Sequence, residues 1–273
     1  PKAEDYPSYM SVDRENFRGV HAIDLLSNAQ DLDIDGLINL AYDPYLPAFK
    51  ALIPGLIEAY RTSDQNPELS EAIEVLEAWD FTVSKSSVAM SLAHFYGTMY
   101  FQQGERPGSM ISMDLISYFG QGSPPEERLA IFSNTIEKLN ADFGTWNTPW
   151  GEINRFQRLN GDIDLTFDDD QPSIAVGMAS GTWGALAAYG MRGKHDTKKI
   201  YGTRGNSFIA VVEFGEKVKA KSMLAGGQSG DPNSPHFYDQ AQPYADIQFK
   251  DVPYYREDVL SRAESTYRPG EIN

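Results

Sequence analysis

Cysteine is absent from all 273 residues, which excludes disulfides, thiolate metal sites and a cysteine nucleophile. Its absence also suits an exported protein that avoids unwanted cross-links. No apolar run approaches the roughly 20 residues that a membrane-spanning helix needs. Positive charge is scarce: 23 Lys and Arg stand against 39 Asp and Glu, for a net charge of -16 and a pI near 4.6. Such a surface repels phosphate backbones and anionic lipid heads, which weighs against nucleic-acid and membrane-surface partners. His21, His94 and His195 each lack metal-type partners at helical spacing, so no histidine metal site is expected. The opening residues, Pro1-Lys2-Ala3-Glu4-Asp5, carry no initiator Met and no signal-peptide pattern, as expected of a mature or internal piece of a longer precursor.

What is present reads first as helices. Phe17, Val20, Ile23 (or Asp24) and Leu26 have helical spacing from Asn16 onward, with Asp13 and Glu15 placed to favour the positive end of the dipole. Leu46, Phe49, Ile53, Leu56, Ile57 and Tyr60 form one apolar stripe, in which Pro54 predicts a kink or a fresh start. Leu69, Ile73, Leu76 and Trp79 follow, then Val88, Leu92, Phe95 and Met99 behind a cap region at Ser84 to Ser87. Beyond Gly/Pro breaks at 104–108 and 120–125, a long helix carries Leu129, Phe132, Ile136, Leu139 and Phe143, with Pro124 or Pro125 in its first turn.

Near Gly144 the character changes to Gly, Trp, Thr and short alternating runs. Phe208 to Phe214 is apolar on both faces and predicts a strand buried on both sides. After a turn at Gly215, Val218, Ala220, Ser222 and Leu224 alternate with Lys217, Lys219 and Lys221, a strand with one solvated face. A last helix is expected from about Tyr254 to Ser265. The order is α+β, a helical segment over 1–143 and a strand-rich segment over 144–273.

Three stretches carry more than periodicity. The first is Tyr9-Met10-Ser11 with Glu15-Asn16-Phe17-Arg18-Gly19-Val20 and Ile23-Asp24-Leu25-Leu26. The second is Trp150-Gly151-Glu152-Ile153-Asn154-Arg155-Phe156. The third and most specific runs Gly227-Gln228-Ser229-Gly230-Asp231-Pro232-Asn233-Ser234-Pro235-His236-Phe237-Tyr238-Asp239-Gln240. In this order, across nearly the whole chain, they resemble the C-terminal part of the large subunit in the penicillin acylase family, which includes the acyl-homoserine-lactone acylases. Gly202 to Ser207 also sits where that family has a similar segment.

The resemblance implies part of the four-layer αββα fold of the N-terminal-nucleophile hydrolases. It implies hydrolysis of a linear amide in N-acyl substrates, a penicillin-type side-chain amide or an acyl-homoserine lactone, by acyl transfer to an N-terminal serine outside this chain. The alternative is a non-catalytic binding or structural domain derived from the same fold. The implied partner is the upstream part of the same precursor, its small subunit and the start of the large one. The implied location is periplasmic or secreted, and no cofactor is required. A structural calcium would draw most ligands from elsewhere, since Met10 stands near the expected aspartate and Asp13 is an off-register candidate.

Arg18 matches the family arginine that orients the oxyanion asparagine and the substrate, with Leu25 and Leu26 downstream at the matching spacing. No oxyanion residue is assigned, because Asn16 lies at the helix start rather than at the expected place. The competing reading of Arg18 is a solvated helix-start arginine, although a cation there opposes the dipole. Gly227, Gln228, Ser229, Gly230, Ser234, His236, Asp239 and Gln240 are read as a structural motif, with His236 as general base the lesser alternative, because the family's base is the terminal amine. Asp162, Asp164, Asp168, Asp169 and Asp170 lack the spacing of a calcium loop, and alternation through Leu165 and Phe167 predicts a strand with an acidic turn. A glycosidase carboxylate pair among them, and a phosphate loop at Gly226 to Gly230, are weaker readings. The aromatic residues, among them Trp146, Trp150 and Trp183, are read as core and interface.

Overall fold

Leu46, Phe49, Leu52, Ile53 and Leu56 have no solvent exposure at all, and the other helices gather around the segment that carries them. A computed structural model describes residues 5–7, 9–10, 15–108, 110, 112–191, 196–268 and 270. The readings placed on Pro1, Ser11, Asp13 and His195 lie outside the described residues. The helical segment comprises α1 (Phe17–Asn28), α2 (Ile34–Ala41), α3 (Pro47–Arg61), α4 (Pro67–Glu77), α5 (Val88–Gln103), α6 (Ser112–Ser117) and α7 (Pro125–Phe143). Short polar side chains start four of them. Asn16, Asp33, Asn66 and Ser87 each accept the N–H of a residue two or three positions on, a cap worth about 1 kcal/mol. Gly144, at φ 81°, ends α7 in the left-handed conformation that glycine tolerates.

Of the two expectations for Pro54, the fresh start does not occur: α3 runs from Pro47 to Arg61 without interruption. Burial of Leu52, Ile53 and Leu56 on either side of it outweighs the one hydrogen bond a proline removes. The stripe expected on α1 is turned outward. Phe17 and His21 are buried, whereas Val20, Ile23 and Leu26 are exposed.

The remaining elements are α8 (Trp150–Ile153), β1 (Asn154–Phe156), β2 (Ile174–Ala175), β3 (Tyr189–Gly190), β4 (Ile200–Tyr201), β5 (Arg204–Gly205), β6 (Phe208–Glu213), β7 (Lys219–Leu224), α9 (Ala241–Ala245), β8 (Lys250–Asp251) and α10 (Arg256–Ser261). The chain is α+β, helices first. β1 pairs antiparallel with β2 and parallel with β4. β3 pairs with β5, and β6, β7 and β8 form a meander. Trp150, Ile153, Ala179, Trp183 and Ala185 join the helical core, so both segments share it.

The hairpin lies where the alternation placed it, with Phe208 opposite Leu224 and Glu213 opposite Lys219. Its burial differs from expectation. Phe208, Val212 and Phe214 are 64%, 40% and 85% exposed, so one face of β6 is open. The other face, with Ile209 and Val211, meets α2, where Ile209 shares a crevice with Leu37 and Leu40. The lysine face of β7 is therefore not simply solvated: Lys221 pairs with Asp35 of α2 at 2.5 Å. The last helix is shorter than expected, at Arg256–Ser261. Residues 157–173 form an irregular connection between β1 and β2 rather than a strand with an acidic turn.

Between α6 and α7 the chain makes a π-helical turn, Tyr118–Gly122, whose backbone touches that of α3. A Cβ on Gly55 would collide with the Gly120 carbonyl, and one on Gly120 with the Ala51 carbonyl. Arg128 locks the contact by donating to Gly55 O at 3.1 Å and Ser123 O at 2.6 Å. Backbone on both sides leaves nothing soft to yield, so Gly55→Ala should cost about 3 kcal/mol, the upper end for overpacking. Gly215→Ala, whose Cβ would meet only the Lys217 carbonyl at an ordinary 3.8 Å, should cost under about 0.5 kcal/mol. Denaturant midpoints of the two variants test this; equal midpoints would contradict the contact.

Candidate functional site

Arg18 stands in the first turn of α1, one residue after Phe17, whose buried ring fixes the start of that helix. Asn16 spends its Oδ1 on the Gly19 N–H at 2.9 Å. The Arg18 side chain crosses the short 3-10 turn Gly181–Trp183, and both Nε and Nη2 donate to Leu186 O, at 3.0 and 2.7 Å. One turn along α1, His21 donates from Nδ1 to Gly184 O at 2.9 Å, and its Nε2 lies 3.3 Å from Asp43 Oδ1. Two side chains of one helix thus hold the segment 184–186 by its carbonyls.

Opposite Arg18 stands the β3–β5 pair. Gly205, at φ 143°, passes so close to the Ala188 carbonyl that a side chain there would collide with it. Asn206 completes the pairing: its N–H donates to Ala188 O and its Oδ1 accepts the Ala188 N–H, both at 3.0 Å. The result is a cleft of about 620 Å³ lined by Asn16, Arg18, Ser180, Thr182, Tyr189, Arg204 and Asn206, among others. Two guanidinium groups line it, and none of its described lining residues is acidic. Such a cleft favours negative charge, whether on a ligand or developing in a reaction.

Ser180 Oγ accepts the Thr182 N–H and donates to Thr182 Oγ1, both at 3.2 Å, and among the described lining residues no histidine or carboxylate stands by to activate a hydroxyl. Burial pushes the Tyr189 phenol well above its ordinary range. Its O–H donates to Arg155 O at 2.6 Å and accepts the Gly202 N–H at 3.0 Å, so it acts as a strut.

Of the stretches singled out by sequence, the first lines the cleft through Asn16, Phe17 and Arg18 and the Gly202 to Ser207 segment through Arg204, Gly205 and Asn206; none from Gly227 to Gln240 does. That stretch closes on itself. Ser229 N–H donates to His236 O, Phe237 N–H to Ser234 O, and Gln240 N–H to Gly226 O. Arg158 donates to the Gly227 and Phe237 carbonyls and lies 4.1 Å over the Phe237 ring. His236 Nδ1 lies 2.9 Å from Asp239 Oδ2 on the exposed surface, and this contact is the largest cause holding the Asp239 carboxyl below its ordinary value. In the second stretch, Arg155 spends its donors on Ser173 and Gly151, clasping β1 to β2.

Within the acidic run Asp169 acts as a clamp. The Asp169 carboxylate accepts from the Lys198 and Lys199 N–H groups and from Tyr201 O–H. Among the described residues no group of three His, Asp or Glu side chains could hold a metal ion. Met10 is exposed. No described helix is long and apolar enough to cross a membrane.

The family model for penicillin amidase matches residues 1–261. The chain belongs to the penicillin amidase family. That family is one of amidohydrolases. The chain is similar, at 17% identity and a TM-score of 0.49, to a solved structure of thermostable penicillin G acylase from Alcaligenes faecalis. The match covers 92% of this chain and 52% of that one, so the chain spans about half the acylase's length. Ser180, Thr182 and Tyr189 gave no usable sign in the sequence. Arg204 and Asn206 lie in the Gly202 to Ser207 segment, where the small residues around a lone arginine were the available signal.

A second histidine approaches the same segment from α5. His94 Nδ1 accepts the Trp183 indole N–H at 3.1 Å, and burial pushes its pKa down to about 4. Folding therefore favours neutral His94. Between pH 6.5 and about 4 the unfolded chain holds one proton more at this residue, so its contribution is complete above pH 6.5 and is lost as pH falls towards 4. The wild-type stability curve should fall more steeply across that window than that of His94→Phe. Parallel curves from chemical denaturation at several pH values would contradict it.

Proposed function

We propose that this chain is one part of an amidohydrolase that cleaves N-acyl amides, either a penicillin-type side-chain amide or an acyl-homoserine lactone. Membership of the penicillin amidase family supports the amide chemistry. The observation that carries the chain's own part is the acid-free cleft in which the Arg18 fork is fixed on Leu186 O. The reaction is acyl transfer to an N-terminal serine on another segment of the same precursor, with that residue's own amine as base, followed by hydrolysis of the ester by water. The unactivated hydroxyls of the cleft fit a nucleophile supplied from elsewhere. No cofactor enters the scheme, and the proposed setting is the periplasm or the extracellular medium.

In this scheme Arg18 is a positioning residue. Its guanidinium, held on one side by a main-chain carbonyl, orients the asparagine that donates to the oxyanion. A misplaced donor costs less than a deleted one. Arg18→Ala in the complete enzyme should therefore lower kcat by somewhat less than the roughly 10²–10³-fold loss caused by removing such a donor. KM should change little, since the contact acts chiefly in the transition state. Arg18→Lys should not restore the rate, because one ammonium cannot reproduce the planar fork. Steady-state kinetics decides the matter, and an unchanged kcat in Arg18→Ala would remove Arg18 from the site.

The chain by itself should hydrolyse neither penicillin G nor long-chain acyl-homoserine lactones, and co-expression with the upstream segment should restore turnover. Saturable hydrolysis by the purified chain would overturn the external nucleophile. Failure of the reconstituted protein on every N-acyl amide would favour a binding domain instead.

A further inference from the structure

Beside the cleft lies a second cavity, of about 310 Å³, and Ser180, Thr182, Tyr189 and Met191 line both. Its chemistry differs from that of the cleft. Phe101, Trp150, Trp183 and Tyr189 supply aromatic walls, and no described lining residue carries a carboxylate, ammonium or guanidinium. The walls are held in place. Trp183 stacks on Phe49 at 4.7 Å, and Trp150 donates its indole N–H to Met178 O at 3.0 Å while its ring lies 4.8 Å from that of His94.

Two polar groups have capacity left over. Asn154 is 1% exposed, and its Nδ2 donates to the Val176 and Met178 carbonyls, both at 2.9 Å. Those bonds fix which end of the amide is which, and Oδ1, the other end, is buried with no partner. A buried acceptor left so costs about 1–3 kcal/mol and calls for an explanation. His94 accepts from Trp183 at Nδ1, so the neutral ring carries its proton on Nε2 as a donor. Both residues line the cavity.

We propose that this cavity is a binding subsite for a small uncharged aromatic molecule bearing a hydroxyl, a phenol in its simplest form. The ring fits between indole and phenyl walls. The hydroxyl is at once a donor, for Asn154 Oδ1, and an acceptor, for His94 Nε2–H. A charged ligand would meet no counter-charge among the described lining residues to repay its lost water. The second sequence stretch gains a role here, since it supplies both Trp150 and Asn154. The subsite needs no nucleophile, so it stands or falls independently of amide hydrolysis.

The test is equilibrium titration of the full chain with phenol and, separately, with toluene. Intrinsic tryptophan fluorescence follows Trp150 and Trp183, and ligand-observed NMR serves as a second readout. Phenol should bind saturably. Toluene, which has the ring without the donor, should bind at least ten-fold more weakly. Thr98→Leu, which adds bulk to the lining from α5, should weaken phenol binding ten-fold or more. If that variant fails to fold, Gln102→Phe, at an exposed lining position, should do the same. Absence of saturable binding, equal affinity for toluene, or unchanged affinity in a folded variant would each overturn the proposal.

Discussion

Trp183 ties the cleft to the helical core, and most of what surrounds the site depends on that contact. Its ring stacks on Phe49 of α3 at 4.7 Å and lies against Gly97 of α5, where even a Cβ would meet it. Its indole N–H is satisfied by His94. The turn Gly181–Trp183 is thereby held against two central helices. The carbonyls just beyond it, Gly184 O and Leu186 O, are then presented to His21 and Arg18 of α1. Loosening Trp183 would release both anchors of α1 together with the floor of the cleft. A buried aromatic with one satisfied polar tip is well suited to this task, because packing sets its position and the hydrogen bond sets its rotation.

The site and its scaffold divide the polar groups between them in a way that spacing alone does not disclose. In the long string from Gly227 to Gln240 the backbone bonds turn back on the same loop, and Arg158 seals it from outside. Such a string is specific because a self-closed loop tolerates few substitutions: a Cβ on Gly227 would strike the His236 carbonyl. In the cleft, by contrast, Arg204 and Arg18 stand beside Ser180 and Thr182, whose hydroxyls bond each other. A family's most recognisable residues can therefore be those that hold a loop together, while a cleft rich in positive charge is built from ordinary Ser, Thr and Arg.

Much of the helical segment was legible because a helix advertises itself locally. Ser87 before α5, Pro124 and Pro125 before α7, and Gly144 after it all act within one turn of chain. Arg18 was reached only through the family resemblance. Nothing in the chain marks it apart from a cation set against the dipole, and its partner, Leu186 O, is 168 residues away. Pro54 starts no new helix because the penalty for a helical proline is local, whereas the burial that outweighs it is tertiary. The α1 stripe misled for a related reason: the helix is anchored through Phe17, His21 and Arg18, two of them polar, so apolar periodicity pointed to the wrong face. Asp168 to Asp170 read as a solvated tip because sequence does not show that Asp169 gathers the main chain of Lys198 and Lys199.

The open face of β6 shows how far a hydrophobic pattern can be taken. Phe208, Val212 and Phe214 sit on one side of the strand and Ile209 and Val211 on the other, which is the composition of a strand covered twice. α2 covers the second side, guided by the Lys221–Asp35 pair as well as by Ile209. On the first side the two phenylalanines are more than half exposed, and among the described strands β6 is the outer one of its sheet, bonded to β7. An apolar face beside a free strand edge combines two features that soluble proteins ordinarily conceal. Alternation thus reports that a face is made to be covered. It carries no information on what covers it, because period and polarity belong to the strand, whereas the cover is a property of whatever packs against it.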